Sequence, residues 1–219
     1  MLAGRPGNPS NPMPRRFRIL ILTALSLAAA ATAGLWALMI LAPVPQITRS
    51  GTAAIGGPFT LVDTDGATVT DRSYPGKWRL IFFGYTFCPD ACPTTLHNMS
   101  VALEKLGSDA GKLQPIFITV DPRRDTREVM ADYLKSFDSR IVGLAGTQAQ
   151  IDSIVKEYRV YVGQEKAETT GDDYLVFHSS YIYLMDSQGT FVDVIPGVEP
   201  GEEIAAWLRE HLARAKTKR

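Results

Sequence analysis

The residues of this 219-residue chain best equipped for chemistry are two cysteines and three histidines. Cys88 and Cys92 stand in Cys88-Pro89-Asp90-Ala91-Cys92-Pro93, and the histidines are His97, His178 and His211. The pair follows an apolar run at 80–85 and precedes a helical pattern. Pro93 suits the first turn of that helix, where its missing N–H costs no hydrogen bond. Both thiols therefore lie at a strand–helix junction, where the positive end of the helix dipole favours thiolate. Four chemistries compete. A structural disulfide suits an oxidising compartment but would close only a small ring, with little loss of chain entropy. A redox dithiol is more often C-x-x-C, one residue shorter. Structural zinc wants four ligands, and only the three histidines could join the sulfurs. Copper needs fewer donors: soft thiolates select Cu(I) and imidazole also suits the metal. Two Cys and one His would make a low-coordinate site able to pass its metal on.

The elements that must position these residues read as α/β. Residues 59–70 form two short β-prone runs around Asp63-Thr64-Asp65-Gly66, a hairpin signal. Runs 80–85 and 115–120 are continuously apolar, as strands buried on both faces are. Runs 181–185 and 191–195 flank Asp186-Ser187-Gln188-Gly189 as a second hairpin. Apolar residues three and four apart predict helices over 94–106, 125–137, 148–158 and 201–213. The order implies a mixed sheet with helices on its faces. A β-α-β opening followed by a hairpin and a final helix is the thioredoxin arrangement.

The N-terminus carries a different signal. Residues 1–42 hold four Arg and no acid, so the neutral whole hides a body of 19 bases and 23 acids. Residues 1–18 are a polar, basic tail, and 19–42 run 24 residues without a charge. About 20 residues suffice to span a bilayer. Ala31-Thr32-Ala33 resembles a signal-peptide cleavage site, but the apolar stretch continues past it, longer than a signal core. An uncleaved transmembrane anchor is therefore expected, with the arginines in the cytoplasm and the rest across the membrane. Residues 43–57 read as a linker and 58–219 as the folded domain. The charge balance argues against a nucleic-acid binder.

Other residues have plainer readings. Spacing alone makes His178 a core or surface histidine. His97 sits five residues after Cys92, where helical geometry turns it away from the thiols, so it reads as a surface residue. His211 lies in a basic C-terminal helix and reads as solvated. Asp90 is either a helix-start acid or a partner-recognition charge. Asp121, Arg124 and Asp125 read as a turn and cap network, with Asp125 or Thr126 near the helix start. Tyr85 and Phe87 either shield the site or belong to the strand core. No Walker loop, nucleophile elbow or dinucleotide fingerprint follows a strand.

A resemblance narrows the four chemistries. Phe83-Gly84-Tyr85-Thr86-Phe87-Cys88-Pro89-Asp90-Ala91-Cys92-Pro93 resembles the signature of the Sco/SenC copper chaperones. Val120-Asp121-Pro122-Arg123-Arg124-Asp125-Thr126 is similar to that family's V-D-P-x-R-D-T segment, and Asp173-Tyr174-Leu175-Val176-Phe177-His178-Ser179 to its Y-x-V-D-H-S/T segment. The resemblance covers about residues 50–212. It implies a thioredoxin-like fold with extra hairpins and a copper site at Cys88, Cys92 and His178, holding Cu(I) and also Cu(II). It implies delivery of copper to the binuclear CuA centre of cytochrome c oxidase subunit II, with loading by a periplasmic copper donor. The alternative within the family is a membrane-tethered thiol–disulfide oxidoreductase that keeps the oxidase cysteines reduced. A short basic lead and immediate anchor favour a bacterial inner membrane, with the domain in the periplasm. One departure stands out: the family has Asp before the histidine, and here it is Phe177. An acid there would add negative charge beside the metal, so its loss is expected to leave Cu(I) binding intact and weaken Cu(II) binding.

Overall fold

The chain divides into two units, Met1–Thr52 and Ala53–Arg219. The computed structural model describes residues 15–41, 55–165 and 174–217. In the first unit the described part is one helix, α1 (Arg15–Leu41). It opens on exposed Arg15 and Arg16 and carries exposed Ile19, Leu20, Leu22, Leu25, Leu27 and Trp36. Among the described residues no helix is long and apolar enough to cross a membrane. The transmembrane helix expected over 19–42 is thus not found among them. Half of the side chains in that stretch lie outside the described residues, as do most of the expected tail and linker.

The second unit begins with a hairpin, β1 (Thr60–Asp63) and β2 (Thr68–Thr70). The turn forms because Asp63 Oδ1 accepts the amides of Asp65 and Ala67, at 3.0 and 2.8 Å, while Gly66 takes φ +88°. The chain continues through β3 (Trp78–Gly84), α2 (Ala91–Leu106), a 3-10 turn (Gly107–Lys112) and β4 (Leu113–Thr119). Next come α3 (Arg127–Leu134), β5 (Val142–Ala145) and α4 (Gln148–Glu157). A second hairpin, β6 (Val162–Glu165) with β7 (Leu175–His178), precedes a third, β8 (Tyr181–Met185) with β9 (Phe191–Pro196). The chain ends in α5 (Gly201–Thr217).

Seven strands form one mixed sheet in the order β2-β1-β5-β4-β3-β8-β9, with β3, β4 and β5 parallel. β6 and β7 form a sheet of their own. The apolar runs at 80–85 and 115–120 become β3 and β4, the buried centre. Their alternate residues serve opposite faces. Phe82 stacks on Phe117, which meets Tyr133 of α3, whereas Phe83 meets Tyr158 after α4 and Tyr183 of β8.

Three strands were not expected. β5, β6 and β7 are each four residues long, too short for a periodicity to register. α2 starts at Ala91, three residues before the expected 94, which places Pro93 inside its first turn. α3 starts after Thr126, whose hydroxyl accepts the Val129 amide at 3.3 Å. Of the two cap candidates it is therefore Thr126, not Asp125.

Candidate metal centre

β3 delivers the cysteine loop to the end of the central parallel strands, where α/β sheets commonly place their sites. Its last residue, Gly84, lies under Cys92: a Cβ there would stand 2.8 Å from Cys92 Sγ. Cys92 is buried in the first turn of α2, and Cys88 is partly exposed before it. Cys88 Sγ accepts the Cys92 backbone N–H at 3.4 Å. The sulfur thus takes up one of the amides a helix start leaves without a partner. Asp90 holds the cap position, but its side chain makes no capping bond and is exposed.

His178 arrives from β7. Its Nε2 lies 3.3 Å from Cys92 Sγ, and its Nδ1 lies 3.3 Å from the Ser179 carbonyl oxygen. Both ring nitrogens thus have a partner, and binding a metal through Nε2 requires the imidazole proton to sit on Nδ1, where the Ser179 carbonyl can accept it. Phe82 and Tyr85 meet the imidazole edge-on, at 6.0 and 5.9 Å between centroids. Tyr85 is buried, and its hydroxyl accepts the Val176 amide at 3.3 Å, tying the cysteine loop to the histidine strand. The donor atoms of Cys88, Cys92 and His178 all lie within 4.8 Å of one another.

Electrostatics splits the two thiols. Cys88 is held down to about 3, first because the Cys92 thiol donates to it, with help from His178 and the backbone amides of Cys92 and Asp90. Cys92 is pushed far above the ordinary thiol range, by that same hydrogen bond and by burial. The pair is one thiolate and one thiol, and a metal that takes both sulfurs must displace the Cys92 proton. Two thiolates and an imidazole form a soft, low-coordinate donor set that suits Cu(I). Among the described residues this is the one group of three or more ligand-type side chains close enough to share an ion.

The remaining candidates are distributed as follows. His97 is exposed on α2 and takes no part in this group. His211 is not solvated: its ring packs against Trp207 at 5.0 Å and its Nε2 meets Asp193 Oδ2 at 3.1 Å. Phe87 is 53% exposed beside Cys88, with the Arg124 guanidinium 4.9 Å from its ring centre. Asp121 and Asp125 are both buried and hydrogen-bonded. Sequence reasoning missed Gly84 as the seat of Cys92, Thr86 as the partner of Asp125, and the Ser179 carbonyl. Of these only Gly84 carried a signal, a glycine ending a buried strand just before the cysteines.

Phe177 is 52% exposed and alternates with buried Val176 along β7, so it lies on the strand face opposite His178. A carboxylate in its place would not meet the imidazole. An acid at 177 would therefore act on the metal only through its charge, without touching the imidazole.

The SCO1/SenC family profile matches residues 47–213. The chain belongs to this family. The Schizosaccharomyces pombe Protein sco1 is 39% identical over 211 residues, 91% of this chain and 80% of its own length. The human Protein SCO1 homolog, mitochondrial, is 38% identical over 164 residues, 74% of this chain and 54% of its own length. The chain therefore spans about half the length of that relative. Among solved structures, Bradyrhizobium japonicum ScoI with copper bound is 48% identical, with a TM-score of 0.66 over 72% of this chain and 99% of that one. Yeast Sco1 with copper bound is 40% identical, with a TM-score of 0.68 over 74% and 90%. The mixed sheet with flanking helices is the thioredoxin-like fold of Sco proteins.

Proposed function

We propose that this Sco protein is a membrane-anchored copper metallochaperone that binds copper through Cys88, Cys92 and His178. The observation that carries this reading is the convergence of those three donors within 4.8 Å, with Nε2 of His178 facing the Cys92 sulfur at 3.3 Å. Relatives 40–48% identical hold copper in their structures. By family, the recipient is the CuA centre of cytochrome c oxidase subunit II, and a periplasmic donor loads the site. The domain 58–219 is tethered by residues 19–42 to a bacterial inner membrane and faces the periplasm. The support for the tether lies in the sequence, where 24 uncharged residues follow four arginines.

A second reading rests on Cys88. A partly exposed thiolate next to a buried thiol is the arrangement of a disulfide reductant. Cys88 would attack one sulfur of a partner disulfide and form a mixed disulfide. Cys92, on losing its proton, would then displace the partner, leaving a Cys88–Cys92 bond and two partner thiols. Incubating the Cu(I)-loaded chain with the apo CuA domain of subunit II separates the two. Copper moving to reduced CuA supports the chaperone. No transfer, with oxidised CuA becoming reduced by the copper-free chain, supports the reductant.

A further inference from the structure

The two halves of the donor set come from different sheets. The cysteines follow β3 of the large sheet and His178 ends β7 of the small one. Their separation therefore depends on what joins the cysteine loop to the strand that carries His178. Tyr85 is one link, and the loop after β4, residues 120–126, supplies two more.

Asp125 holds the cysteine side. Its carboxylate accepts the Thr86 amide at 3.0 Å, the Thr86 hydroxyl at 2.6 Å and the Thr119 hydroxyl at 2.6 Å. Thr86 is two residues before Cys88. Asp121 holds the histidine side. It accepts the Tyr174 hydroxyl at 2.6 Å and Arg124 Nε at 2.5 Å, and Tyr174 opens the segment that becomes β7. Arg124 bridges the two: its guanidinium lies 3.7 Å from the Tyr174 ring centre, 4.9 Å from Phe87 and 5.6 Å from Tyr85. The capping of α3 is done by Thr126, so neither carboxylate is needed there. Yet Asp121 and Asp125 are 2% and 1% exposed, and buried carboxylates are costly unless fully hydrogen-bonded.

We infer that Asp121, Arg124 and Asp125 form a cross-tie that sets the separation of His178 from the cysteines, acting as positioning residues for the copper site. The inference rests on the copper reading above. It assigns Tyr174 and Thr86 as the two anchor points, one on each side. Supporting partners of metal ligands are worth about 10- to 100-fold in metal affinity when removed.

The test uses the full chain and two variants. Tyr174→Phe deletes the hydroxyl that meets Asp121 and keeps the ring under Arg124. Asp125→Asn keeps the shape and removes the charge that Thr86 and Thr119 address. Cu(I) affinity is read by competition with bicinchoninate, and the Cu(II)–thiolate absorption bands report ligand geometry. The His178 imidazole 1H–15N resonances are read in the copper-free protein, beside its thermal melt. The cross-tie predicts at least about tenfold weaker Cu(I) binding for Tyr174→Phe, shifted Cu(II) bands and moved His178 resonances. Parent-like affinity, bands and resonances with a lowered melting temperature alone would overturn it and leave a purely structural role. If Asp125→Asn does not fold, Tyr174→Phe decides. A parent that binds no copper refutes the copper reading instead, and the copper-free His178 resonances then still decide the cross-tie.

Discussion

Gly84→Ala is the perturbation whose effect follows most directly from the geometry. The new methyl would stand 2.8 Å from Cys92 Sγ, 2.9 Å from Phe117 Cε2 and 3.1 Å from Phe82 Cε1. Non-bonded heavy atoms prefer about 3.5–4.0 Å, so the sulfur must retreat by about 1 Å or the two rings must part. All three neighbours are buried in the core and none is the free end of a flexible chain. Overpacking of this kind costs about 1–3 kcal/mol. For a domain of this size a cost of about 2 kcal/mol lowers the melting temperature by about 4–8 °C. The displaced atom is also a proposed ligand, and functional constellations tolerate only about 0.5 Å of misplacement. Copper affinity should therefore fall at least about tenfold, the equivalent of about 1.4 kcal/mol. The assays are a thermal melt of the copper-free protein and Cu(I) competition with a chromophoric chelator. Gly111→Ala is the control, because a Cβ there meets nothing within 4 Å. If Gly84→Ala matches Gly111→Ala in both assays, the argument that Cys92 sits on a glycine seat is wrong.

Three further outcomes are expected. Alkylation of Cys88 by iodoacetamide, followed by peptide mapping, should be nearly flat from about pH 5 to 9, because its thiolate persists down to about 3. An ordinary thiol would gain about tenfold per pH unit below about 8.5, and such a rise would contradict the shared-proton pair. Oxidation to a Cys88–Cys92 disulfide should exclude copper, since the bond engages both donor sulfurs, and reduction should restore binding; stoichiometric copper in the oxidised chain would be the contrary result. Phe177→Asp should leave the Cu(II)/Cu(I) affinity ratio near that of the parent, since that side chain faces away from His178 and its charge is screened by solvent. A shift of ten or more would return the acid to the role that the family pattern suggested.

How much was legible beforehand depended on how locally each feature is encoded. β3 and β4 are continuous apolar runs, and α4 carries both an apolar period and a Thr147–Gln150 capping box, so each could be read from its own residues. β5, β6 and β7 gain their stability from partners far along the chain, and four residues hold no period of their own. The strand–helix junction placed both thiols near a helix start. It could not say that Cys88, rather than Asp90, would meet a first-turn amide. His178 had no spacing to mark it, because its approach to Cys92 spans 86 residues and two sheets; only the family motif pointed to it. His211 was misread because the basic tail says nothing of Asp193 on β9, which the fold brings to its ring.

Copper stoichiometry of the reduced full chain in detergent, beside its His178→Ala variant, tests the central claim most directly. One copper per chain is expected in the parent and much weaker retention in the variant, because the imidazole is the proposed third donor. Equal copper retention by parent and variant would contradict a Cys–Cys–His site.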